Sequence, residues 1–486
     1  MKIVVKLFHE IIIKSRPVRK LITKQLHYNL ENILKQVVPE TKVYKRWDHI
    51  EIKLPDHLPH DTQINVKEKL ACIPGIDFIQ VVESLEFESF EQLIALGVEQ
   101  FSSAVTGKTF CVRAKRKGKH AFTSIEFERE LGGALLAEGK AKGVKLKAPE
   151  VELKVEIDGA RVFFVKEKIK GLGGYPLGQQ ESVLSLISGG YDSSVASYQM
   201  IKRGVKTHFC FFNLGGSAHE IGVKQVAYFI WNKYASSHKV KFISVPFEGV
   251  VEEILKTMSP SVMGVALKRM MLRAAEKLAN DLALDTLVTG EAIGQVSSQT
   301  LTNLRMIDLA SDALVLRPLI ALDKQDIIAQ AKQIGTEEFA ANMPEYCGVI
   351  SAKPSTKVKL SAIEEAEAQF DFSVLEEAIT NRRLQSIEKV LDGVDTDTSV
   401  SCVQVPSVDD VVIDIRHPEE QEQNPLQLTN NKIIKIPFYS LATRFKELPD
   451  ANNYLLYCDK GVMSKVQAHH LNLNGFTNVK VLQLPS

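Results

Sequence analysis

The sequence predicts an α/β multidomain protein centred on a parallel, doubly wound sheet. Three observations predict it. Between residues 180 and 345, short apolar runs alternate with stretches of helical periodicity. The first of those runs ends in a Gly-Gly turn that opens directly into a helix-compatible segment. A second, shorter alternation of the same kind closes the chain after Val411. At 486 residues the chain is too long for one core, so three or four domains are expected.

The front of the chain reads differently. Residues 2–7 alternate like a short strand, and Arg16 to Val37 carries apolar residues at helical spacing. Strand-like pieces follow at 42–45 and 48–53. A helical stretch from Asp61 to Leu70, the turn Pro74-Gly75 and a strand at 76–83 repeat the theme, which is that of a ferredoxin-like α+β unit. From 84 to 170 a second α+β unit is expected, with strands near 150–156 and 161–168 joined at Asp158-Gly159. Gly171 to Pro176 is a natural linker. In the centre, strands are expected at 182–187, 207–212, 240–245, 285–289 and 314–316, and residues 355–392 read as helix-rich. Asp392 to Asp410 is a linker candidate, followed by strands at 411–415, 433–436, 454–457 and 479–483.

With 45% hydrophobic and 24% charged residues, the composition is that of a globular protein. No apolar run reaches membrane-spanning length and no signal-peptide pattern opens the chain, so the expected location is cytoplasmic, with no membrane partner. Net charge is only +1, but residues 1–170 hold 30 Lys/Arg against 23 Asp/Glu and the remainder 30 against 36. A basic front half favours an anionic partner. The six cysteines, at 72, 111, 210, 347, 402 and 458, form no C-x-x-C pair, so neither a zinc nor an iron–sulfur site is indicated and no metal ligands are assigned.

Three constellations carry chemistry. The first is Leu186-Ile187-Ser188-Gly189-Gly190-Tyr191-Asp192-Ser193, a strand, a glycine turn and a helix start. Glycines let the backbone approach an anion, and free N–H groups with the helix dipole favour negative charge there. The Ser188 and Ser193 hydroxyls can donate to phosphate. Asp192 can either hold Mg²⁺ on pyrophosphate or orient the loop. The pattern lacks the ending of a Walker A loop and is not the dinucleotide G-x-G-x-x-G. Asn213-Leu214-Gly215-Gly216-Ser217, Thr289-Gly290-Glu291, Gln295 to Thr300 and Arg317 follow later strands, where open parallel sheets bind ligands. Lys268 and Lys324 are phosphate-contact candidates. The second constellation is Cys458 with Asp459 to Ser464, between an apolar strand and a helical stretch, where backbone N–H groups stabilise a thiolate or persulfide. Asp414-Ile415-Arg416 accompanies it. The third is Gly107 to His120, which holds six Lys/Arg and no acid, and in which Lys115, Arg116, Lys117 and Lys119 are candidates for contact with an anionic partner.

The pattern S-G-G-x-D-S resembles the PP-loop of ATP pyrophosphatases, and the Cys458 loop resembles that of rhodanese-like domains. Taken with Pro344-Glu345-Tyr346-Cys347-Gly348 and Gly290 to Thr300, the whole chain resembles the tRNA 4-thiouridine synthetase (ThiI) family in its long form. The resemblance implies a ferredoxin-like domain at 1–60, a THUMP RNA-binding domain at 61–168, a PP-loop domain at 175–392 and a rhodanese domain at 405–486. It implies ATP and Mg²⁺ as cofactors, with ATP held by Leu186, Ile187, Ser188, Gly189, Gly190, Ser193, Lys268, Gly290, Gln299 and Lys324, and Asp192 needed for activation. It implies a Cys458 persulfide loaded by a cysteine desulfurase, a redox disulfide between Cys347 and Cys458, and a rhodanese unit that swings on the 392–410 linker. The implied reaction thiolates uridine at position eight of tRNA through an adenylated base. A second implied partner is the sulfur-carrier protein of thiamine thiazole synthesis. The family also suggests a homodimer, which no residue pattern here derives. A lysidine-type or amidating ligase would share the PP-loop but has no use for Cys458. A bare RNA-binding module leaves both loops unexplained.

Overall fold

The protein was analysed as a computed structural model. It describes residues 1–486 except 56, 215, 342–353, 392–400, 417–420, 423, 437–440, 442–443, 450–451, 459–463, 465–466, 469–470, 473–474 and 485–486; residues 216–218 are described by backbone alone. The chain divides into two compact units, Met1–Pro176 and Leu177–Ser486.

In the first unit the strands are β1 (Lys2–Leu7), β2 (Lys42–Lys45), β3 (His49–Lys53), β4 (Ile76–Glu86), β5 (Thr109–Lys117), β6 (Gly143–Val144), β7 (Val151–Asp158) and β8 (Arg161–Gly173). They form one sheet in the order β2-β3-β1-β4-β8-β7-β5-β6. With helices Arg16–Val37 and His60–Ala71, β1 to β4 make a split βαββαβ motif. The expected division at 60/61 falls inside this motif. Residues 61–86 hydrogen-bond into it, because β4 pairs antiparallel with β1 from Lys2↔Val82 to Leu7↔Ile76. Period-two alternation sends Ile3, Val5 and Leu7 against Leu26 and Leu30 of the first helix. The same rule sends Phe110, Val112, Leu153 and Val155 against Phe127, Leu131 and Leu135 of helix Ser124–Ala137. The other sheet face carries a small apolar cluster, Val4, Val82 and Phe163 with Val165, and charged pairs that reach across several strands. Lys6 of β1 reaches Glu156 of β7 at 2.8 Å, and Lys117 of β5 pairs with Asp48 in the β2–β3 turn.

In the second unit, β9 (Gln180–Leu186), β10 (Val205–Asn213), β11 (Lys241–Pro246), β12 (Thr286–Val288), β13 (Leu314–Leu316) and β14 (Arg383–Ser386) lie in the order β13-β12-β9-β10-β11-β14. All neighbours are parallel except β14, which runs antiparallel to β11. β14 lies within the segment expected to be helix-rich. Its sequence, Arg-Leu-Gln-Ser, has no apolar run because it is an edge strand with no buried residue. The chain winds outward from β9 in both directions, so a topological switch point lies between β9 and β12. The helix Met263–Asp281 buries Leu267, Met270, Ala274 and Leu278 against the sheet. Its Arg269 grips Glu367 of helix Leu360–Ala368 with two bonds, at 2.6 and 2.9 Å.

A separate sheet closes the chain: β15 (Cys402–Val403), β16 (Val411–Asp414), β17 (Ile433–Lys435), β18 (Tyr454–Tyr457) and β19 (Val479–Leu482), in the order β15-β19-β18-β16-β17 and all parallel. β15 corrects the expected linker. Cys402 and Val403 pair with Val481 and Leu482, so they belong to the sheet. Among the described residues, no helix is long and apolar enough to cross a membrane.

Candidate active site at the carboxyl ends of the parallel strands

The Gly-Gly loop sits where β9 ends, at the switch point. Gly189 has φ +80°, which a side chain disfavours, and Gly190 caps the helix Tyr191–Lys202. Hydroxyls hold the loop. Ser188 N–H donates to Ser193 Oγ at 3.1 Å, the two hydroxyls lie 3.1 Å apart, and Ser194 Oγ donates to the Gly190 carbonyl at 2.8 Å. The first-turn amides of such a helix have no acceptor within the helix, so they face whatever anion enters. Nearby in sequence to the second glycine pair, His219 is buried and lies edge-on to Phe211 at 4.9 Å, and burial holds its pKa below the usual histidine value.

Asp192, in the first turn, is already engaged. Lys324 Nζ donates to both its oxygens, at 2.9 and 3.1 Å, and Gln295 Nε2 donates at 2.9 Å. Lys324 is the first residue of helix Lys324–Ile334, whose N-cap Asp323 accepts from Asp326 N–H at 2.9 Å. A cation at a helix N-terminus opposes the macrodipole, and Asp192 offsets that cost. Two helix N-termini and one ammonium therefore meet beside the loop.

From β12 comes Gly290, whose role is steric. A Cβ there would lie 2.6 Å from the carbonyl carbon of Asp192 and 2.7 Å from the amide nitrogen of Ser193. The strand end and the helix start can touch only through glycine. The next residue, Glu291, is buried and held by three donors: Lys268 Nζ at 2.6 Å, Arg317 Nε at 2.8 Å and Thr289 Oγ1 at 3.1 Å. Burial pushes its carboxyl up, but Lys268 and Arg317 overcome this and hold it below the usual carboxylate range. Gln299, in the 3-10 turn Ser297–Gln299, is also buried, and its Oε1 has no hydrogen-bond partner among the described residues. An orphaned buried amide oxygen of this kind fits a ligand with an amino or N–H edge, such as adenine.

The second candidate centre follows β18. Cys458 is buried, and Ser464 N–H donates to its Sγ at 3.3 Å, with Ser464 Oγ at 3.4 Å. On the neighbouring strand Asp414 binds Arg416 through Nε at 3.0 Å and Nη2 at 2.7 Å, and the guanidinium lies 5.0 Å from the Tyr457 ring. Asp459 to Met463 and Cys347 lie outside the described residues.

Residues 178–372 match the family model described as thiamine biosynthesis protein (ThiI), and residues 87–165 match the THUMP domain model. A tRNA sulfurtransferase of Shewanella piezotolerans is 52% identical over 482 residues, covering 99% of each chain. The chain belongs to the tRNA sulfurtransferase family. A tRNA sulfurtransferase of Marinobacter nauticus is 50% identical over 481 residues, again 99% of each. Among solved structures, a 4-thiouridine synthetase–RNA complex with bound ATP matches with a TM-score of 0.69 and 26% identity, over 79% of this chain and 99% of that one. PH1313 from Pyrococcus horikoshii matches with a TM-score of 0.53 and 20% identity, over 69% of this chain and 100% of that one, which shows the fold alone.

In this tRNA sulfurtransferase the expected site residues divide. Leu186 to Ser193, Gly290 and Lys324 converge at the switch point, with Gln299 buried close by in sequence. Lys268 points its ammonium at Glu291, so its first partner is protein. Glu291, Arg317 and Gln295 belong to segments expected at the ligand end of the sheet, with no individual role assigned from sequence. The signal for Arg317 is a charged residue directly after a short apolar strand, and for Glu291 one three positions beyond such a strand. The RNA candidates split as well. Strand alternation puts Lys115 and Lys117 on one face of β5 and Arg116 on the other, where Arg116 meets His120 at 3.0 Å and lies 5.7 Å from the Phe122 ring.

Proposed function

We propose that this enzyme makes 4-thiouridine at position eight of tRNA, using ATP to activate the base and Cys458 to deliver sulfur. One observation carries the reading: the Asp192–Lys324 pair set between two helix N-termini at the switch point, against a glycine that admits no side chain. That arrangement suits a triphosphate. Loop amides and the hydroxyls of Ser188 and Ser193 take the pyrophosphate, Lys324 can shift from Asp192 to phosphate, and Gln299 meets the adenine edge. Leu186, Ile187 and Lys268 complete the nucleotide site. A Mg²⁺ ion arriving with the phosphates would neutralise their charge, with Asp192 as the carboxylate at hand.

Uridine O4 is a poor leaving group. Its attack on the α-phosphorus of ATP expels pyrophosphate and leaves an O4-adenylated base. The terminal sulfur of a Cys458 persulfide, supplied by a cysteine desulfurase, then adds at C4 and AMP departs. Cys347 attacks the Cys458 sulfur, which releases the thiolated base and leaves a Cys347–Cys458 disulfide for an external thiol to reduce. The C-terminal sheet with Cys458 acts as a rhodanese unit and can pass the same sulfur to the thiamine sulfur-carrier protein. The front unit grips tRNA, and the enzyme works in the cytoplasm as a homodimer.

The test is nucleoside mass spectrometry on unmodified tRNA incubated with the enzyme, Mg-ATP, cysteine and a cysteine desulfurase, with Cys458→Ser in parallel. Thiouridine is expected only with intact Cys458. Equal thiouridine from both proteins would remove Cys458 from the reaction, and none from either would overturn the whole reading.

A further inference from the structure

Trp47 is one of two tryptophans in the chain; the other, Trp231, is buried at 6% exposure, whereas Trp47 is 61% exposed. An exposed indole costs solvation that a folded surface ordinarily avoids. This one also has two arginines against it. It lies in the β2–β3 turn, and the guanidinium groups of Arg16 and Arg19 lie 4.8 and 5.0 Å from its ring centre. Arg19 also donates to the Trp47 carbonyl oxygen at 2.9 Å. Both arginines come from the start of helix Arg16–Val37, and well over half of the indole remains open.

The surroundings are cationic. Residues 16–24 contain Arg16, Arg19, Lys20 and Lys24 and no acid, and residues 42–46 contain Lys42, Lys45 and Arg46 and no acid. The nearest acids are already paired: Asp48 with Lys117 and His49, and Glu51 with Lys2, Arg46 and His49. The Lys117–Asp48 pair also ties this turn to the basic end of β5. An exposed aromatic ring with guanidinium groups against it and further cations nearby suits single-stranded nucleic acid. The ring takes the face of an unpaired base and the cations take phosphates.

We infer that Trp47 is a stacking platform for an unpaired base of the RNA substrate, with Arg16, Arg19, Lys20 and Lys24 contacting the adjoining phosphates. This rests on the tRNA reading above. A base inside a duplex has both faces covered and cannot use the ring, so the site selects single-stranded segments.

The two tryptophans make the test direct. Full-length protein is titrated with unmodified tRNA and, separately, with a blunt RNA duplex, while tryptophan emission and affinity are followed. Trp47→Phe leaves Trp231 alone as the emission background. The inference expects tRNA to quench the Trp47 emission and the duplex to leave it unchanged. It also expects Trp47→Ala to bind tRNA roughly 5- to 100-fold more weakly with an unaltered salt slope, and Trp47→Phe to recover most of that loss. Unchanged tRNA affinity in Trp47→Ala would sink the inference while leaving tRNA binding intact, and would return the patch to a protein-facing surface. Equal quenching by the duplex would also sink it, since phosphate proximity alone would explain the signal. Wild-type protein that fails to bind tRNA would overturn the tRNA reading itself.

Discussion

A single buried carboxylate gathers charged side chains at the candidate active site. Glu291 holds Lys268 and Arg317, and its loss would leave Lys268 without its carboxylate and Arg317 with Asp308 alone. Breaking a buried pair by removing one partner typically costs about 3–5 kcal/mol. Glu291→Gln is therefore expected to lower stability by about that much at pH 7. The sign of the pH dependence follows from the direction of its shift. Its carboxyl is held below the usual range in the folded state. The stabilisation is therefore present above the unfolded carboxylate pKa, about 4.3, and is lost as pH falls through the lower folded value. Urea midpoints of the two proteins should differ at pH 7 and draw together below about pH 4. A constant gap at both pH values would show that packing, not charge, is what Glu291 supplies.

Strand β5 shows why a basic run in sequence is not a basic patch in space. Lys115 and Arg116 are adjacent in the chain but point to opposite faces of the sheet. Lys115 and Lys119 are exposed, whereas Arg116 is half-buried beside His120 and Phe122. Lys115→Gln with Lys119→Gln is expected to reduce the salt dependence of tRNA binding by about one unit per lost phosphate contact, while Arg116→Gln changes it little. Plots of log affinity against log salt would check this, and an unchanged slope in the double variant would remove that strand end from the RNA surface. The strands themselves were largely legible. β1 and β18 coincide with the expected runs, because alternation or a continuous apolar run marks a strand with a buried face. β14 and β15 were not legible, since short edge strands bury too little to leave a pattern.

For the whole molecule, the reading assigns activation and sulfur delivery to separate sheets. Cys458 follows a strand of the C-terminal sheet, and the Gly-Gly loop follows a strand of the six-stranded one. Cys458→Ser should therefore retain tRNA-dependent release of pyrophosphate from ATP while making no thiouridine. A coupled pyrophosphate assay on the variant would show this. Loss of both activities together would mean that the cysteine also serves activation.

The sequence alone pointed to the strands with buried faces and to two candidate loops, because glycine turns, apolar periods and a cysteine between strand and helix are local properties. It also pointed to Lys324 and Asp192 separately. Only the tertiary structure decided that they bind each other, that Gly290 is required by contact with the Asp192 backbone, and that Trp47 stands open beside two arginines. Each of these joins residues far apart in the chain. A contact of that kind depends on sheet order, which balances the burial of many side chains at once and leaves no mark on any one stretch of sequence.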